Sequence, residues 1–272
     1  MYKIIACDMD ETLLGSDRRV SRRNRDAIQE ARKRGVKFVP ATGRGYRSLD
    51  GILDEIGLRD LPEEYVISFN GAAITENRGS RMLRFEEIPF ELVEEIYRRA
   101  QGYDVGIHVY LKERVLGYRI NADEDNYLAG RMAYERTDER DLSFLRGEKI
   151  VKILCVNTNH DYLARIAEDW NDLARDLDVS YSSNRYLEFN RKGATKGTGL
   201  LWLAEHLGVR PEETMAIGDN FNDRSMILAA GMGVCVANAV EELKAEADAV
   251  TESTNDEGAV AEAIERFILN AG

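Results

Sequence analysis

The chain has 272 residues, room for one large domain or two modest ones, and its 44% hydrophobic and 32% charged content is ordinary for a soluble globular protein. A formal net charge of -12 argues against non-specific binding to nucleic acid or to an anionic membrane surface, while a small anionic substrate in a metal-bearing or basic pocket stays open. The three cysteines, Cys7, Cys155 and Cys235, are far apart in apolar runs, which argues against a disulfide framework or a zinc site; with no leader and no run of membrane-spanning length, a cytoplasmic location is expected.

The first third alternates strand and helix. Residues 2–7 predict a strand and 21–34 a helix, with Ala27, Ile28 and Ala31 on one face and Gly35 as its stop. A strand at 36–41, a helix at 46–57 and a strand at 64–69 ending on Asn70-Gly71 follow. The middle changes character. A hairpin is expected over 72–85, then a helix opened by Pro89, strands at 104–111 and 114–120, a helix at 123–136, a strand at 149–156, a long helix at 160–177 and strands at 178–183 and 185–190. The last third returns to alternation, with helices at 196–207, 222–230, 239–245 and 257–269 and strands at 214–218, 233–236 and 248–251. The pattern reads as an α/β, Rossmann-like parallel-sheet domain formed by 1–82 and 187–272, interrupted by an inserted α+β domain at 83–186.

Four polar segments stand at strand ends or helix heads, on the side where ligands bind in an open parallel sheet. Asp8-Met9-Asp10-Glu11-Thr12 offers two carboxylates at i and i+2, one to attack and one to handle protons. Ala41-Thr42-Gly43-Arg44 offers a hydroxyl, free backbone N–H groups and a guanidinium to a phosphate oxygen. Lys196, in Gly193-Ala194-Thr195-Lys196-Gly197, heads a helix where the macrodipole favours an acid. Gly218-Asp219-Asn220-Phe221-Asn222-Asp223 places Asp219 where a Mg²⁺ would find a carboxylate, with Asn222 and Asp223 beside it. Any one of these segments alone is compatible with a helix cap or turn. Together they form a cluster of acids that needs a cation or shared protons, because carboxylates 4 Å apart repel by ~4 kcal/mol at an effective dielectric of 20.

On these segments the chain resembles a haloacid dehalogenase (HAD) superfamily phosphatase of the Cof-like, type IIB branch. Asp8-Met9-Asp10-Glu11-Thr12-Leu13-Leu14 is similar to that family's first motif, Thr42-Gly43-Arg44 to its second, Lys196 to its third and Gly218 to Asp223 to its fourth. Asn70-Gly71-Ala72 and the tail from Val250 to Ala261 are similar as well. The resemblance implies a HAD core with an inserted cap of type C2B that supplies substrate specificity. It implies Asp8 as nucleophile, Asp10 as general acid/base, and Thr42, Gly43 and Lys196 on the phosphoryl group. It further implies Arg44 and Asn70 as candidate substrate contacts, Mg²⁺ held by Asp8, Asp10 (through its carbonyl) and Asp219, and Asn222 and Asp223 in support.

The implied activity is Mg²⁺-dependent hydrolysis of a small phosphorylated metabolite, a sugar phosphate or phosphorylated cofactor, through an aspartyl-phosphate. A phosphomutase or phosphotransferase with the same intermediate and a non-catalytic sensor of a phosphorylated ligand are the alternatives. No nucleic acid or membrane partner is expected, and a monomer or small homo-oligomer is the expected assembly. Glu11 departs from the family's usual Gly, either repelling phosphate or pointing outward. In the insert, His108, Tyr110, Arg119, Tyr127 and Arg131 could face a substrate but are read as packing or surface, and His160 and His206, in helical segments without ligand-like spacing, are read as structural.

Overall fold

The computed structural model describes residues 1–270, and the chain divides into two compact units: Met1–Arg84 with Thr195–Gly272, and Phe85–Ala194. The first segment runs β1 (Ile4–Cys7), α1 (Arg22–Lys33), β2 (Lys37–Pro40), α2 (Asp50–Glu55), β3 (Tyr65–Ser68), β4 (Ala73–Glu76) and β5 (Arg81–Phe85). Every residue of β1 is buried, as a strand covered on both faces requires. Helix α1 is capped by the Ser21 hydroxyl, which accepts from the Asn24 N–H at 3.1 Å. It buries Asn24, Ala27, Ile28 and Ala31, the stripe of an amphipathic helix.

The insert runs α3 (Phe90–Ala100), β6 (Gly106–Leu111), β7 (Val115–Tyr118), α4 (Ala122–Leu128), β8 (Glu135–Thr137), β9 (Ile150–Val156), α5 (His160–Asp169), β10 (Leu177–Ser182) and β11 (Tyr186–Arg191). Its sheet has the order β10-β11-β9-β6-β7-β8, antiparallel except for the β7–β8 pair. Alternate residues Ile107, Val109, Ile153, Cys155, Leu187 and Phe189 join the core with Val93, Ile96, Leu163 and Ile166 of α3 and α5. The intervening positions carry polar groups, among them the buried Lys152–Glu188 pair at 3.1 Å.

The insert's extent differs from the expected 83–186. Strand β11 pairs Tyr186 to Asn190 with Val156 to Lys152, so a break at 186 would strip the insert's sheet of one of its strands. Two expected helices are shorter. Helix α4 stops at Leu128 and Gly130 turns at φ +70°, freeing Glu135–Thr137 to pair with β7. Helix α5 stops at Asp169, where buried Trp170 packs edge-on to the Tyr103 ring and against Phe189, and only short turns cover 171–175.

The remainder returns to the first unit: α6 (Lys196–His206), β12 (Thr214–Gly218), α7 (Arg224–Ala229), β13 (Met232–Cys235), α8 (Glu241–Lys244), β14 (Ala249–Val250) and α9 (Ala259–Ile264). The parallel sheet has the order β14-β13-β12-β1-β2. Strand β1 lies between β12 and β2, with Cys7 opposite both Ile217 and Pro40. The chain therefore leaves β1 to one side early and reaches its other side late, which makes β1 the switch point where a crevice opens.

Strand β3, expected to extend this sheet, joins its edge through a single bridge between Ala41, just past β2, and Ile67, and pairs along its length with β4. The N–H groups of Lys37 and Ala41 go to Lys3 and Cys7 on the β1 side. Pro40 therefore faces β3, with no N–H to offer it.

Candidate active site

Both central strands end in an acid. Asp8 follows β1 and Asp219 follows β12, and the Asp8 N–H still donates to the Ile217 carbonyl at 2.9 Å, so the parallel register sets the two loops side by side. The Thr12 hydroxyl joins them directly, donating to Asp219 Oδ1 at 2.6 Å. Asp223 folds back at the head of the next helix. Its Oδ2 accepts from the Asp219 and Asn220 N–H groups at 3.0 and 3.1 Å, an arrangement that caps the turn and leaves Oδ1 pointing inward.

Lys196 opens α6, whose start is fixed by Thr195 accepting from the Thr198 N–H at 3.2 Å. Its ammonium is fully enclosed and donates to Asp223 Oδ1 at 2.6 Å and to Asp8 Oδ1. Two glycines allow this placement. A Cβ on Gly71, at φ +98°, would lie 1.9 Å from the Thr195 carbonyl oxygen, and one on Gly197 would lie 2.2 Å from that of Ser225. Backbone thus approaches backbone on both sides of the lysine, and only glycine permits it.

One oxygen from each of Asp8, Asp219 and Asp223 lies within 4.8 Å of the others, and all three residues are buried. Burial, then the neighbouring Asp223 charge, raises the Asp8 carboxyl well above the usual range, and the same two causes lift Asp219 to about 7. Burial works against the Lys196 charge, but Asp223 and Asp8 outweigh it and hold the lysine protonated. With all three carboxylates ionised, one ammonium would leave two negative charges in excess, and the raised Asp8 and Asp219 carboxyls relieve that excess by keeping protons while no cation is bound. The donors are all hard oxygens, and with Lys196 already occupying one oxygen each of Asp8 and Asp223 the remaining set suits Mg²⁺, which takes one or two carboxylates and keeps its waters.

The other expected residues fall around this centre. Thr42 is buried, with its N–H on the Ile67 carbonyl at 2.9 Å and its hydroxyl accepting from the Arg44 N–H at 3.1 Å. Asn70 holds a left-handed conformation (φ +53°) and donates its N–H to the Thr42 carbonyl at 2.9 Å. Gly43 packs beside it, since a Cβ there would sit 3.1 Å from Asn70 Oδ1. Asn222 is exposed on the 219–223 turn.

Asp10 stands apart from the acid cluster. Its half-exposed carboxylate turns outward onto Arg44, whose Nε donates to Oδ2 at 2.9 Å and whose Nη2 donates to Oδ1. Glu11 is exposed at φ +59°, in the left-handed region where a glycine would be unstrained, and its charge adds a minor contribution to the raised Asp219 carboxyl.

Sequence reasoning passed over the groups that brace the first loop. Asn238 Nδ2 donates to the Glu11 carbonyl at 2.8 Å, Asn255 Nδ2 donates to the Leu14 carbonyl at 2.9 Å, and the Ser16 N–H donates to Asp256 Oδ1 at 2.7 Å. Their signal lay in the Asn255-Asp256 pair of the tail. In the insert, His108 is fully buried and stacks on Tyr110 and Tyr134, and burial with the Lys152 charge pushes it down to about 3, so it is a neutral interior group.

Comparison with known proteins places the chain in one family. A family profile described as haloacid dehalogenase-like hydrolase matches residues 5–264. An HMP-PP phosphatase of Serratia proteamaculans is 30% identical, over 90% of this chain and 87% of its own. Phosphatase YwpJ of Bacillus subtilis is 29% identical, over 98% of this chain and 100% of its own. A solved haloacid dehalogenase-like hydrolase from Bacteroides thetaiotaomicron superposes with a TM-score of 0.85 at 31% identity, covering 98% of this chain and 100% of that one. A HAD subclass IIB sugar phosphatase shares the fold, with a TM-score of 0.83 at 23% identity over 97% and 98% of the two chains.

Proposed function

This chain belongs to the haloacid dehalogenase-like hydrolase family and acts as a phosphatase, and we propose that it hydrolyses a small phosphorylated metabolite through an aspartyl-phosphate on Asp8, with Mg²⁺ as cofactor. The observation that carries the proposal is the enclosed Lys196 bridging Asp8 and Asp223 beside the raised Asp219 carboxyl. A sugar phosphate or a phosphorylated cofactor is the substrate class, supported by the names of an HMP-PP phosphatase and a sugar phosphatase among the similar proteins.

In the first step an Asp8 oxygen forms a bond to phosphorus while the bond from phosphorus to the leaving oxygen breaks. Asp10 gives its proton to that leaving oxygen, and the alcohol departs. In the second step water attacks the same phosphorus and passes its proton to Asp10. The bond between Asp8 and phosphorus breaks, inorganic phosphate leaves, and both acids return to their starting state. The Thr42 hydroxyl, the Gly43 N–H and the Lys196 ammonium bind the phosphoryl oxygens, and the Asn70 side-chain amide faces the substrate. Lys196 has a further task, since its bond to Asp8 Oδ1 fixes which carboxylate oxygen is left to attack. Asp8, Asp219 and the Asp10 carbonyl would hold the Mg²⁺, with Asn222 and Asp223 in support, and the ion would neutralise charge on the phosphoryl oxygens.

The test is turnover of p-nitrophenyl phosphate with Mg²⁺, read as released phosphate, in the native protein and in Asp8→Asn. The variant should be inactive. Mg²⁺-dependent turnover retained at the native rate would rule out Asp8 as nucleophile.

A further inference from the structure

The geometry points to Arg44 as the positioning residue of Asp10, and away from Arg44 as a ligand of the substrate's phosphoryl group. This inference rests on the reading of Asp10 as the proton donor to the leaving group. The contact between them is a fork, Nε donating to Oδ2 at 2.9 Å and Nη2 donating to Oδ1, so it fixes the plane of the carboxylate as well as its place.

Neither loop needs this ion pair to hold its shape. Arg44 is pinned by its own N–H on Thr42 Oγ1 at 3.1 Å and by its carbonyl accepting from the Phe69 N–H at 3.0 Å. The Asp10 turn is closed by the Leu14 N–H on the Met9 carbonyl at 2.9 Å and braced by Asn238 on Glu11 at 2.8 Å. What the fork adds is confinement of one side chain. An aspartate that is half exposed on a turn otherwise samples several rotamers, and proton delivery to a leaving oxygen requires one of them.

The two acids assigned to the reaction therefore have separate cations. Lys196, fully enclosed, holds Asp8, while Arg44, one-third exposed, holds Asp10. Of the two, only the outer pair can change its geometry without opening the core. Two of the five Arg44 N–H donors are on Asp10, which ties the guanidinium to the side of the site that carries the Asp10 carboxylate. Lysine, a point charge without the fork, restores the attraction and loses the orientation.

The test compares kcat/KM, which runs only to departure of the leaving group, across ribose 5-phosphate, phenyl phosphate and acetyl phosphate. Their leaving groups need a proton in decreasing order, and acetate needs none. Arg44→Ala should lose about tenfold or more on ribose 5-phosphate and less than about threefold on acetyl phosphate, with phenyl phosphate between them. Arg44→Lys should recover part of the loss. An equal loss on all three carried by KM would make Arg44 a phosphoryl ligand and overturn the inference, as would no loss on any of them. Asp10→Asn separates the two readings. If it leaves ribose 5-phosphate turnover intact, the assignment of Asp10 as proton donor fails and the role of Arg44 falls with it.

Discussion

Lys196 and Asp223 form an ion pair closed to water, with Nζ donating to Oδ1 at 2.6 Å and 0% side-chain exposure on both residues. Burying such charges is costly, and the cost is met only while each keeps its partner. Lys196→Met leaves Asp8 and Asp223 facing each other without a cation. We predict a loss of about 3–5 kcal/mol in urea unfolding at pH 8 without metal. Adding Asp223→Asn to that variant should recover part of it, because the stranded charge goes too. A loss below about 1 kcal/mol would mean that the pair is held by its surroundings and not by charge.

Asp219 gives the metal-free protein a pH dependence of definite sign. Its carboxyl titrates near 7 when folded, against about 3.9 for an ordinary aspartate. A raised folded value means that the native state keeps a proton that the unfolded state has released. Stability is then fully present below about 4 and is lost as pH rises toward 7. In thermal unfolding with chelator, the contribution from Asp219 should fall between pH 5 and 7.5, and Asp219→Asn should remove it. Mg²⁺ should raise Tm more at pH 7.5 than at pH 5, because binding requires the deprotonated site. Equal Mg²⁺ shifts at both values would separate the metal from this carboxylate.

Glu11 sits at φ +59° with its side chain exposed. A left-handed conformation costs a non-glycine residue about 1–2 kcal/mol, and glycine's extra freedom in the unfolded chain takes back about 0.5–1. Glu11→Gly should therefore stabilise the protein by about 0.5–1 kcal/mol, measured as a shift in the urea midpoint at constant slope. Phosphatase activity should survive it, since the exposed Glu11 carboxylate contributes only a minor part of the charge acting on Asp219. A destabilised variant would mean that Glu11 makes an interaction worth more than its strain.

The parts of the site that depend on sequence order were legible before any coordinates. An apolar run followed by an acid gave Asp8 and Asp219 at the ends of adjacent strands, and a lysine at a helix head was conspicuous because the helix dipole disfavours it. The extents of α4 and α5 were not legible. Each ends where tertiary packing overrides a continuing helical pattern: Gly130 turns the chain into an edge strand, and Trp170 turns inward between two rings. The Asp10–Arg44 fork was hidden for another reason. It depends on the rotamers of two side chains from different loops, and no spacing along the chain encodes that. Pro40 held a signal that the expected sheet overlooked, for a residue without an N–H cannot feed a neighbouring strand.

The discontinuity of the first unit has a consequence for how the chain is made. Thr12 and Asp219, which share a 2.6 Å bond in the finished site, are separated by 207 positions. At ribosomal speeds of about 5–20 residues per second, the β1 strand waits on the order of ten seconds or more for β12 to be synthesised. The insert has its own sheet and core from Phe85 to Ala194 and finishes translation inside that interval. Its early collapse would shorten the loop that β1 and β12 must close, lowering the entropic barrier to the pairing that builds the active site.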